Sequence, residues 1–417
     1  MKIVFFSPLM PTPDNLNGAS ALMFHLLKNR DSKIELMIIS TNANKADKGL
    51  INLVSEELNA VIYVTPRSFI NKLRMYSKLN DALNIFRTNP ISYDAYYKLS
   101  LKLIGKIHSF APDLIWIYPC TYLGVANQLK GYKMIVSGCD CDALHISRLL
   151  RDSYVFEHNR VKQELKRYRM RIDSIQSWNA HPNSYIYLVG KTDEEYFKMI
   201  APNANVKFFQ HPHYNLVDKA ISFHKDKLLV LISGKFDIYT YSDSLEMINA
   251  LCASTSKKLR ELFDFVFLGK GWDNHIERLK KSGFSARHQG WVEDYVSYVR
   301  NFDIQLFPIS VGTGTKGKVL DALSTGILCV GSQYAFENIA VQSSASCLLY
   351  KNAKEVPALL EDIALNRDHY EDVAKEGRNR VRKYHNPSVI VSDILNWVNN
   401  GDYALDTSLF YCLPLKS

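Results

Sequence analysis

The feature that most constrains the fold is a strand–loop–helix unit that recurs along the chain. Short apolar runs, the first at residues 3–6, alternate with longer segments in which apolar residues recur at helical spacing. Strands of a parallel sheet are buried on both faces and therefore read as continuous apolar runs, with helices as the crossovers. The pattern predicts an α/β protein with doubly wound parallel sheets.

The apolar runs fall into two sets, which predicts two domains. The first set ends near residue 189 and the second begins near residue 228, and proline, histidine and charged residues interrupt both periodicities at 208–227. A chain of 417 residues also exceeds what one hydrophobic core usually serves. We predict two Rossmann-like domains and a final helix and tail that return to the first domain, with the bounds 1–210, 211–393 and 394–417.

The charge of the chain favours an anionic partner. The formal net charge is +9 and the pI is near 9.0, which suits a nucleotide diphosphate, a nucleic acid or an acidic membrane surface alike. No uninterrupted apolar stretch approaches the roughly 18 residues of a membrane span, and the first residues lack a signal-peptide pattern. Seven cysteines, an odd number, favour free thiols over a disulfide framework. We expect a cytoplasmic protein, free or at the inner face of the cell membrane.

A glycine-rich loop followed by a helix start lies at residues 308–326. Glycines let backbone N–H groups approach an anion closely, and the first turn of a helix adds unpaired donors and a partial positive charge. Lys316 and Lys318 stand where the helix dipole disfavours a cation, a cost that a bound anion would offset. Asp321 lies one turn beyond Lys318, from where it could reach a ribose hydroxyl. The segment predicts a cradle for a diphosphate.

Two other interpretations of this segment stay open. One is a glycine-rich surface loop with an ion pair between Lys318 and Asp321 on the helix that follows. The other is a phosphate-binding loop of an NTPase, because Gly312, Gly317 and Lys318 have nearly the required spacing. Val319, however, stands where that motif needs a Ser or Thr to bind Mg²⁺.

The segment PISVGTGTKGKVLDALSTGILCVGS, residues 308–332, resembles the donor-site signature of retaining glycosyltransferases with two Rossmann-like domains, the large fourth sequence family. Weaker similarity extends to SGKFD at 233–237, FVFLGKG at 265–271 and HQGWVED at 288–294. The resemblance implies the GT-B architecture, in which two parallel sheets face each other across a cleft. The first domain would then hold the acceptor and the second domain the nucleotide-sugar donor, at the carboxyl ends of the strands.

The same resemblance implies which residues contact the donor. Lys235 replaces the arginine of the family's Gly-Arg turn, and the backbone near Val292 would contact the base. Thr313 and Asp321 stand where the family usually has two glutamates, so the nucleotide end of the site matches better than the sugar end. No Lys or Arg occurs at 238–243, where a second cation is usual. The implied donor-site residues are Gly18, Lys235, Val292, Gly314, Thr315, Lys316, Gly317, Lys318 and Asp321.

Candidate residues for the acceptor side lie at 137–145, directly after a predicted strand. Asp140, Asp142 and His145 should lie at its carboxyl end, where the resembled family forms the acceptor side of the cleft. Asp140 and Asp142 also form an Asp-x-Asp triplet that could hold a divalent metal, or they could cap the helix that begins near residue 143. Two histidines at 211 and 213 are expected to be solvated.

The expected activity is transfer of a sugar from a nucleoside diphosphate sugar to a hydroxyl of a glycan or lipid-linked acceptor, in bacterial surface polysaccharide or glycoconjugate assembly. The resemblance implies retention at the anomeric carbon. Lys235, Lys318 and the N–H groups of the turn at 314–317 would stabilise the departing diphosphate without a metal. Asp142 or His145 would position the acceptor, and no general base is assigned.

The remaining expectations concern partners and alternatives. We expect no cofactor, no metal and no nucleic acid, and the sequence leaves the oligomeric state open. A sugar-nucleotide epimerase of the same fold and a non-catalytic glycan- or nucleotide-binding protein stay as alternatives. Residues 68–87 have the pattern of a basic amphipathic helix, for which a core-facing surface helix is favoured over contact with an anionic membrane.

Overall fold

The computed structural model of the chain describes residues 1–16, 19–76, 93–138, 140–152, 158–217, 219–401, 403 and 405–415. Two parallel sheets, one in each half of the chain, are flanked by helices. The predicted α/β class with two Rossmann-like domains is therefore confirmed. Within the described residues, no helix combines the length and the apolarity needed to cross a membrane.

The first sheet has seven parallel strands built from the predicted apolar runs and one further strand. Its strands are β1 (Lys2–Ser7), β2 (Glu35–Ser40), β3 (Ala60–Val64), β4 (Leu114–Ile117), β5 (Met134–Gly138), β6 (Ser184–Leu188) and β7 (Asn205–Phe208). They lie in the order β3-β2-β1-β4-β5-β6-β7, so the order reverses beside β1. Ligands of doubly wound sheets bind at such a switch point.

Helices cover both faces of the first sheet because each crossover between parallel strands needs one. They are α1 (Ala21–Lys28), α2 (Lys48–Glu57), α3 (Phe69–Tyr76), α4 (Leu101–Phe110), α5 (Leu123–Gln128), α6 (Asp142–Asp152), α7 (His158–Gln176) and α8 (Lys191–Ile200). Helix α2 begins where the side chain of Asp47 accepts a hydrogen bond from the backbone N–H of Leu50.

The second sheet has six parallel strands, β8 (Leu228–Ser233), β9 (Phe263–Leu268), β10 (Ser285–Gln289), β11 (Ile304–Phe307), β12 (Leu328–Gly331) and β13 (Leu348–Leu349). Their order is β10-β9-β8-β11-β12-β13. The associated helices are α9 (Tyr241–Ala253), α10 (Lys257–Leu262), α11 (Asp273–Lys281), α12 (Tyr295–Val299), α13 (Gly317–Thr325), α14 (Gln333–Phe336), α15 (Val356–Leu365), α16 (Arg367–Tyr384) and α17 (Pro387–Asn400). Short 3₁₀ turns occur at Tyr93–Tyr96, Ser177–Ala180, Ala353–Glu355 and Thr407–Leu409.

Three strands, β7, β10 and β13, were not predicted from the pattern of apolar runs. All three lie at sheet edges, where one side of the strand has no neighbour to bury it. Strand β10, SARHQ, is accordingly polar and half exposed, and β13 has only two residues. Continuous apolar runs identify central strands, whereas edge strands need little hydrophobicity.

The last helix crosses back to the first domain. Ile390 and Ile394 of α17 share a hydrophobic core with residues of α1 and β1, and Trp397 packs edge-on against Tyr185 and also contacts Phe209. The chain thus crosses from one domain to the other twice. The bounds 210/211 and 393/394 stay predictions, and α17 extends over the second of them.

The expectation of solvated histidines in the connection between the sheets is wrong, because His213 is buried and His211 is half-buried. The backbone N–H of His213 donates to the carbonyl of His385, 2.7 Å away, and Nδ1 of His385 donates to the carbonyl of His211. Burial lowers the pKa of His211 and of His213 to about 4, and that of His385 to about 3. Neutral rings therefore form part of the junction where both crossings meet.

The described part of the predicted amphipathic helix also differs from the favoured interpretation. Phe69 and Leu73 of α3 are exposed, whereas Asn71 and Met75 face the core. The helix therefore presents apolar side chains outward over its described turns. Residues 77–87 of the predicted helix lie outside the described residues.

Replacing Trp397 tests whether α17 stabilises the hydrophobic core of the first domain. Trp397→Ala should lower the free energy of unfolding by about 3–5 kcal/mol, because it opens a cavity beside Tyr185 and Phe209. Val389→Ala on the exposed face of the same helix should change it by less than about 0.5 kcal/mol. Urea denaturation measures both. A loss below about 1 kcal/mol for Trp397→Ala would show that α17 contributes little to this core.

Candidate functional site

A cavity of about 930 Å³ lies in the cleft between the two sheets. The amino-terminal loop and α1 form one wall, the connection at 211–217 forms the floor, and the second domain forms the opposite wall. The lining includes Asn15 and Ala21 of the first domain, Asn215 of the connection, and Tyr295, Gly317, Lys318 and Asp321 of the second domain. The predicted cradle therefore faces the amino-terminal loop across a cleft.

Helix α13 directs the cradle residues into this cleft. Strand β11 ends at Phe307, and the glycine-rich loop leads to Lys316, whose extended backbone precedes the helix. Val319 and Leu323 pack one face of α13 into a hydrophobic core of the second domain. Lys318 lies on the opposite side, facing the cleft. Gly317 and Lys318 lie in the first turn, where backbone N–H groups have no partner within the helix.

Lys318 lies over an aromatic ring that is itself fixed. Its Nζ is 5.4 Å from the ring centroid of Tyr295, and the hydroxyl of Tyr295 contacts Ser233 Oγ at 2.9 Å and accepts a hydrogen bond from Gln305. Desolvation by the cleft walls lowers the pKa of Lys318, and the charge of Asp321 opposes that effect. The Lys318 side chain is nonetheless exposed to the cleft, where its ammonium could pair with an anion.

Asp321 lies deeper in the same cavity. Its Oδ1 accepts a hydrogen bond of 2.9 Å from Nδ2 of Asn215, and the ring of His213 is 3.8 Å away. Burial raises the pKa of Asp321 to about 6, while the Asn215 bond and the charge of Lys318 lower it. A buried carboxylate with a remaining acceptor position suits a hydroxyl donor such as a ribose.

Lys235 is exposed on the turn after β8. Gly234 has φ of +118°, and the indole N–H of Trp272 donates to its carbonyl at 2.8 Å. A second cavity of about 350 Å³ lies beside this turn, lined by Ser233, Thr240, Trp272, Pro308, Lys316 and Lys318 among others. Lys318 and Gly317 line both cavities and therefore lie between them.

The loop before α13 is held by the first domain. The hydroxyl of Thr315 donates to the carbonyl of Val189, and the N–H of Gly314 donates to Asp193 Oδ2 at 3.2 Å. Nζ of Lys316 donates to the carbonyls of Thr313 and Gly314. Desolvation lowers the pKa of Lys316, and the nearby carboxylates of Glu337, Asp140 and Asp193 oppose that effect. The donor-site roles of Gly314, Thr315 and Lys316 stay predictions.

The three acceptor-side candidates, Asp140, Asp142 and His145, do not lie together in one site. Nδ1 of His145 lies 3.3 Å from the hydroxyl of Thr313, and its Nε2 lies 3.3 Å from the hydroxyl of Tyr239. Burial lowers the pKa of His145, which favours the neutral ring. Asp142 is exposed and pairs with Arg171 at 3.1 Å.

Asp140 points to the loop rather than to Asp142. A Cβ on Gly314 would lie 1.9 Å from its Oδ1, so only glycine fits there. Burial and the neighbouring Asp193 raise the pKa of Asp140 to about 8. Among the described residues, no three His, Cys, Asp or Glu side chains are grouped as metal ligands.

Some site residues were predicted and others were not. Val292 and Tyr295 both pack against the second-domain core that contains Val319 and Leu323, whereas Gly18 lies outside the described residues, although its neighbours Asp14 and Asn15 line the cavity. No sequence pattern pointed to five further residues of this region, Asn215, Tyr295, Arg148, Asp193 and Glu337. Each of these residues contacts a partner that is distant in the sequence or lies in the other domain. A local sequence motif cannot predict such a contact.

Comparison with known proteins agrees with the fold. A glycosyl transferase-like family model matches residues 248–396. HepE from Anabaena, solved with UDP-glucose, is 12% identical over 95% of this chain and 98% of that chain, with a TM-score of 0.62. Sucrose-phosphate synthase from Thermosynechococcus elongatus is 12% identical over 95% and 97%, with a TM-score of 0.60.

The lipopolysaccharide outer core galactosyltransferase WaaB is 13% identical over 95% of this chain and 99% of that chain, with a TM-score of 0.56. The sequence search of curated proteins gave no match. The chain thus has the two-Rossmann-domain fold of GT-B glycosyltransferases, and the matched family covers most of its second domain. The resemblance to these glycosyltransferases is confirmed.

The raised pKa of Asp321 predicts that this carboxylate costs stability. The folded state binds the proton more tightly than the unfolded chain, so ionisation of Asp321 above pH 6 is unfavourable by up to about 3 kcal/mol. Asp321→Asn should therefore raise the free energy of unfolding at pH 7.5. The gain should disappear below about pH 4, where both states are protonated.

Asp294 provides a control of opposite sign. It caps α12, and hydrogen bonds from Ser297 lower its pKa, so Asp294→Asn should destabilise at pH 7.5. Denaturation of both variants at pH 7.5 and pH 4 gives the comparison. A pH-independent effect of Asp321→Asn would contradict the assigned burial of its charge.

Proposed function

We propose that this protein transfers a sugar from a nucleoside diphosphate sugar to a hydroxyl of a glycan or lipid-linked acceptor. The observation that supports this most is the cleft cavity of about 930 Å³, in which Lys318, Asp321 and the first turn of α13 face the amino-terminal loop. UDP-glucose bound to HepE, which shares the fold, makes a uridine diphosphate sugar the first donor to test.

The proposed donor pose follows from the positions of charge. The ribose lies near Asp321, and the diphosphate lies at Gly317 and Lys318, between the two cavities. Lys235 is exposed on the turn beside the smaller cavity. The helix dipole and these cations stabilise the charge that grows on the departing diphosphate, which requires no metal.

The sugar end of the proposed site lies near His145 of the first domain. His145 lies next to Thr313, the position at which related sequences usually have a glutamate. A sugar or acceptor hydroxyl would replace the hydroxyl of Thr313 or of Tyr239 as the partner of one ring nitrogen of neutral His145. Retention at the anomeric carbon belongs to this proposal, with the leaving phosphate oxygen taking the acceptor proton.

A sugar-nucleotide epimerase is the main alternative, because it uses the same fold. It would convert a nucleotide sugar with no acceptor present, and product analysis on donor alone separates the two activities. A binding protein without catalysis would bind UDP in calorimetry but leave every donor intact. Incubation with a panel of radiolabelled nucleotide sugars, with EDTA in a parallel series, identifies the donor and tests metal independence.

Lys318 should be required for donor binding. Lys318→Ala should weaken UDP binding at least about tenfold and lower sugar transfer more than about a hundredfold, because no side-chain cation at the start of α13 then faces the diphosphate. Calorimetry and a transfer assay measure the two effects. Lys280→Ala, an exposed lysine on α11, is the matched control and should change neither. Wild-type affinity and transfer in Lys318→Ala would refute this role of Lys318.

A membrane-facing surface is part of the proposal for a lipid-linked acceptor. Phe69, Ile70 and Leu73 of α3 and Leu101 at the start of α4 are exposed, the last to 86%. Asn71 joins these elements through a hydrogen bond to the carbonyl of Lys98. The exposed lysines among them are Lys72, Lys98 and Lys102. Apolar side chains flanked by lysines suit the interface of an anionic bilayer.

Vesicle sedimentation tests this surface. The protein should bind vesicles that contain phosphatidylglycerol and bind neutral phosphatidylcholine vesicles far less. The triple variant Phe69→Ser, Ile70→Ser, Leu73→Ser should lose at least about tenfold in affinity, because it removes the apolar contribution. Leu365→Ser, exposed on the second domain, is the control. Equal binding of both variants and the wild type would exclude α3 as the contact.

A further inference from the structure

The glycine-rich loop of the second domain is fixed by a buried ion pair that spans the two domains. Arg148 on α6 is 4% exposed and Glu337, just after α14, is fully buried. The Arg148 guanidinium donates to both carboxylate oxygens of Glu337, at 2.7 and 2.8 Å. Its Nη1 also donates to the carbonyl of Gly312 at 2.7 Å. One guanidinium therefore joins Glu337 and the loop.

Asp193 completes the contact from the first domain. It is fully buried near the start of α8, and its Oδ1 accepts a hydrogen bond from the backbone N–H of Cys141 at 2.7 Å. Its Oδ2 accepts the N–H of Gly314 at 3.2 Å. A carbonyl and an N–H only two residues apart in the loop are thus both held by the opposite domain.

Stability alone does not explain such a pair. Removing two charges from water costs about as much free energy as their attraction returns, and an apolar pair of similar volume often stabilises a fold equally well. An apolar pair, however, could not bind the carbonyl of Gly312. The bidentate geometry fixes direction as well as distance, which a loop that must present its backbone to an anion requires.

We propose that Arg148 is a positioning residue: paired with Glu337 of the second domain, and together with Asp193 of the first domain, it fixes the loop at 312–317 from the opposite domain. The amino-terminal domain then sets the shape of the diphosphate cradle, although the cradle belongs to the second domain. Arg148 acts through the loop backbone and needs no contact with the donor. The nucleotide-binding consequence rests on the proposed function, whereas the loop geometry does not.

The decisive variant removes the charges but preserves the volume. The double variant Arg148→Met, Glu337→Met should stay folded, with a Tm within about 5 °C of the wild type. Hydrogen exchange in a peptide that covers residues 310–319 should be at least about tenfold faster, with exchange in β8 unchanged. The UDP Kd from calorimetry should rise at least about tenfold.

Controls separate positioning from general packing. Lys198→Met removes an ion pair with Glu194 on α8, and it should change neither exchange nor UDP affinity. If the double variant does not fold, Arg148→Lys replaces it, because an ammonium keeps the charge but cannot make the fork and the Gly312 bond together. Exchange at 310–319 should then rise at least about threefold.

Two results would overturn the proposal. One is wild-type exchange at 310–319 in a folded double variant or in Arg148→Lys. The other is an equal increase of exchange in every peptide, which would indicate destabilisation without positioning. If the wild type itself does not bind UDP, the proposed function fails, and the exchange measurement still decides the role of Arg148.

Discussion

The candidate site depends on the contact between the two domains at the buried Arg148–Glu337 pair. Neither charge reaches water, so each needs the other, and the two come from opposite halves of the chain. Any movement that separates the sheets must break this pair along with the bonds to Gly312 and Gly314. The position of the second domain and the conformation of its loop are therefore set together.

The cavity follows from this arrangement. With the loop fixed, Gly317 and Lys318 begin α13 at the border between two cavities, and Asp321 lies one turn deeper against the connection between the sheets. The connection takes part directly, since Asn215 hydrogen-bonds Asp321. The proposed nucleotide contacts, the crossing of the chain between the domains and the contact between the domains thus lie in one small region. The raised pKa of Asp321 in this region indicates that the fold keeps this carboxylate at a cost in stability.

Much of this could be predicted from the sequence, and the limits have physical reasons. Buried central strands read as apolar runs, and the glycine-rich loop with its helix start is a local pattern, so the fold and the position of Lys318 were accessible. Edge strands such as β10 carry too little hydrophobicity to be recognised. The partners of Arg148 were not accessible, because Glu337 lies 189 residues away in the other domain. The burial of His213 likewise follows from the second chain crossing at His385, which its own neighbours in sequence do not reveal.

The central claim is that the cleft between the domains binds a nucleotide diphosphate through the start of α13. A crystal structure of the protein soaked with UDP tests it most directly. We expect the diphosphate within hydrogen-bond distance of Lys318 Nζ and of the first N–H groups of α13, with the ribose beside Asp321. UDP bound elsewhere, or a cleft without UDP at a saturating UDP concentration, would show that this cleft is not the donor site.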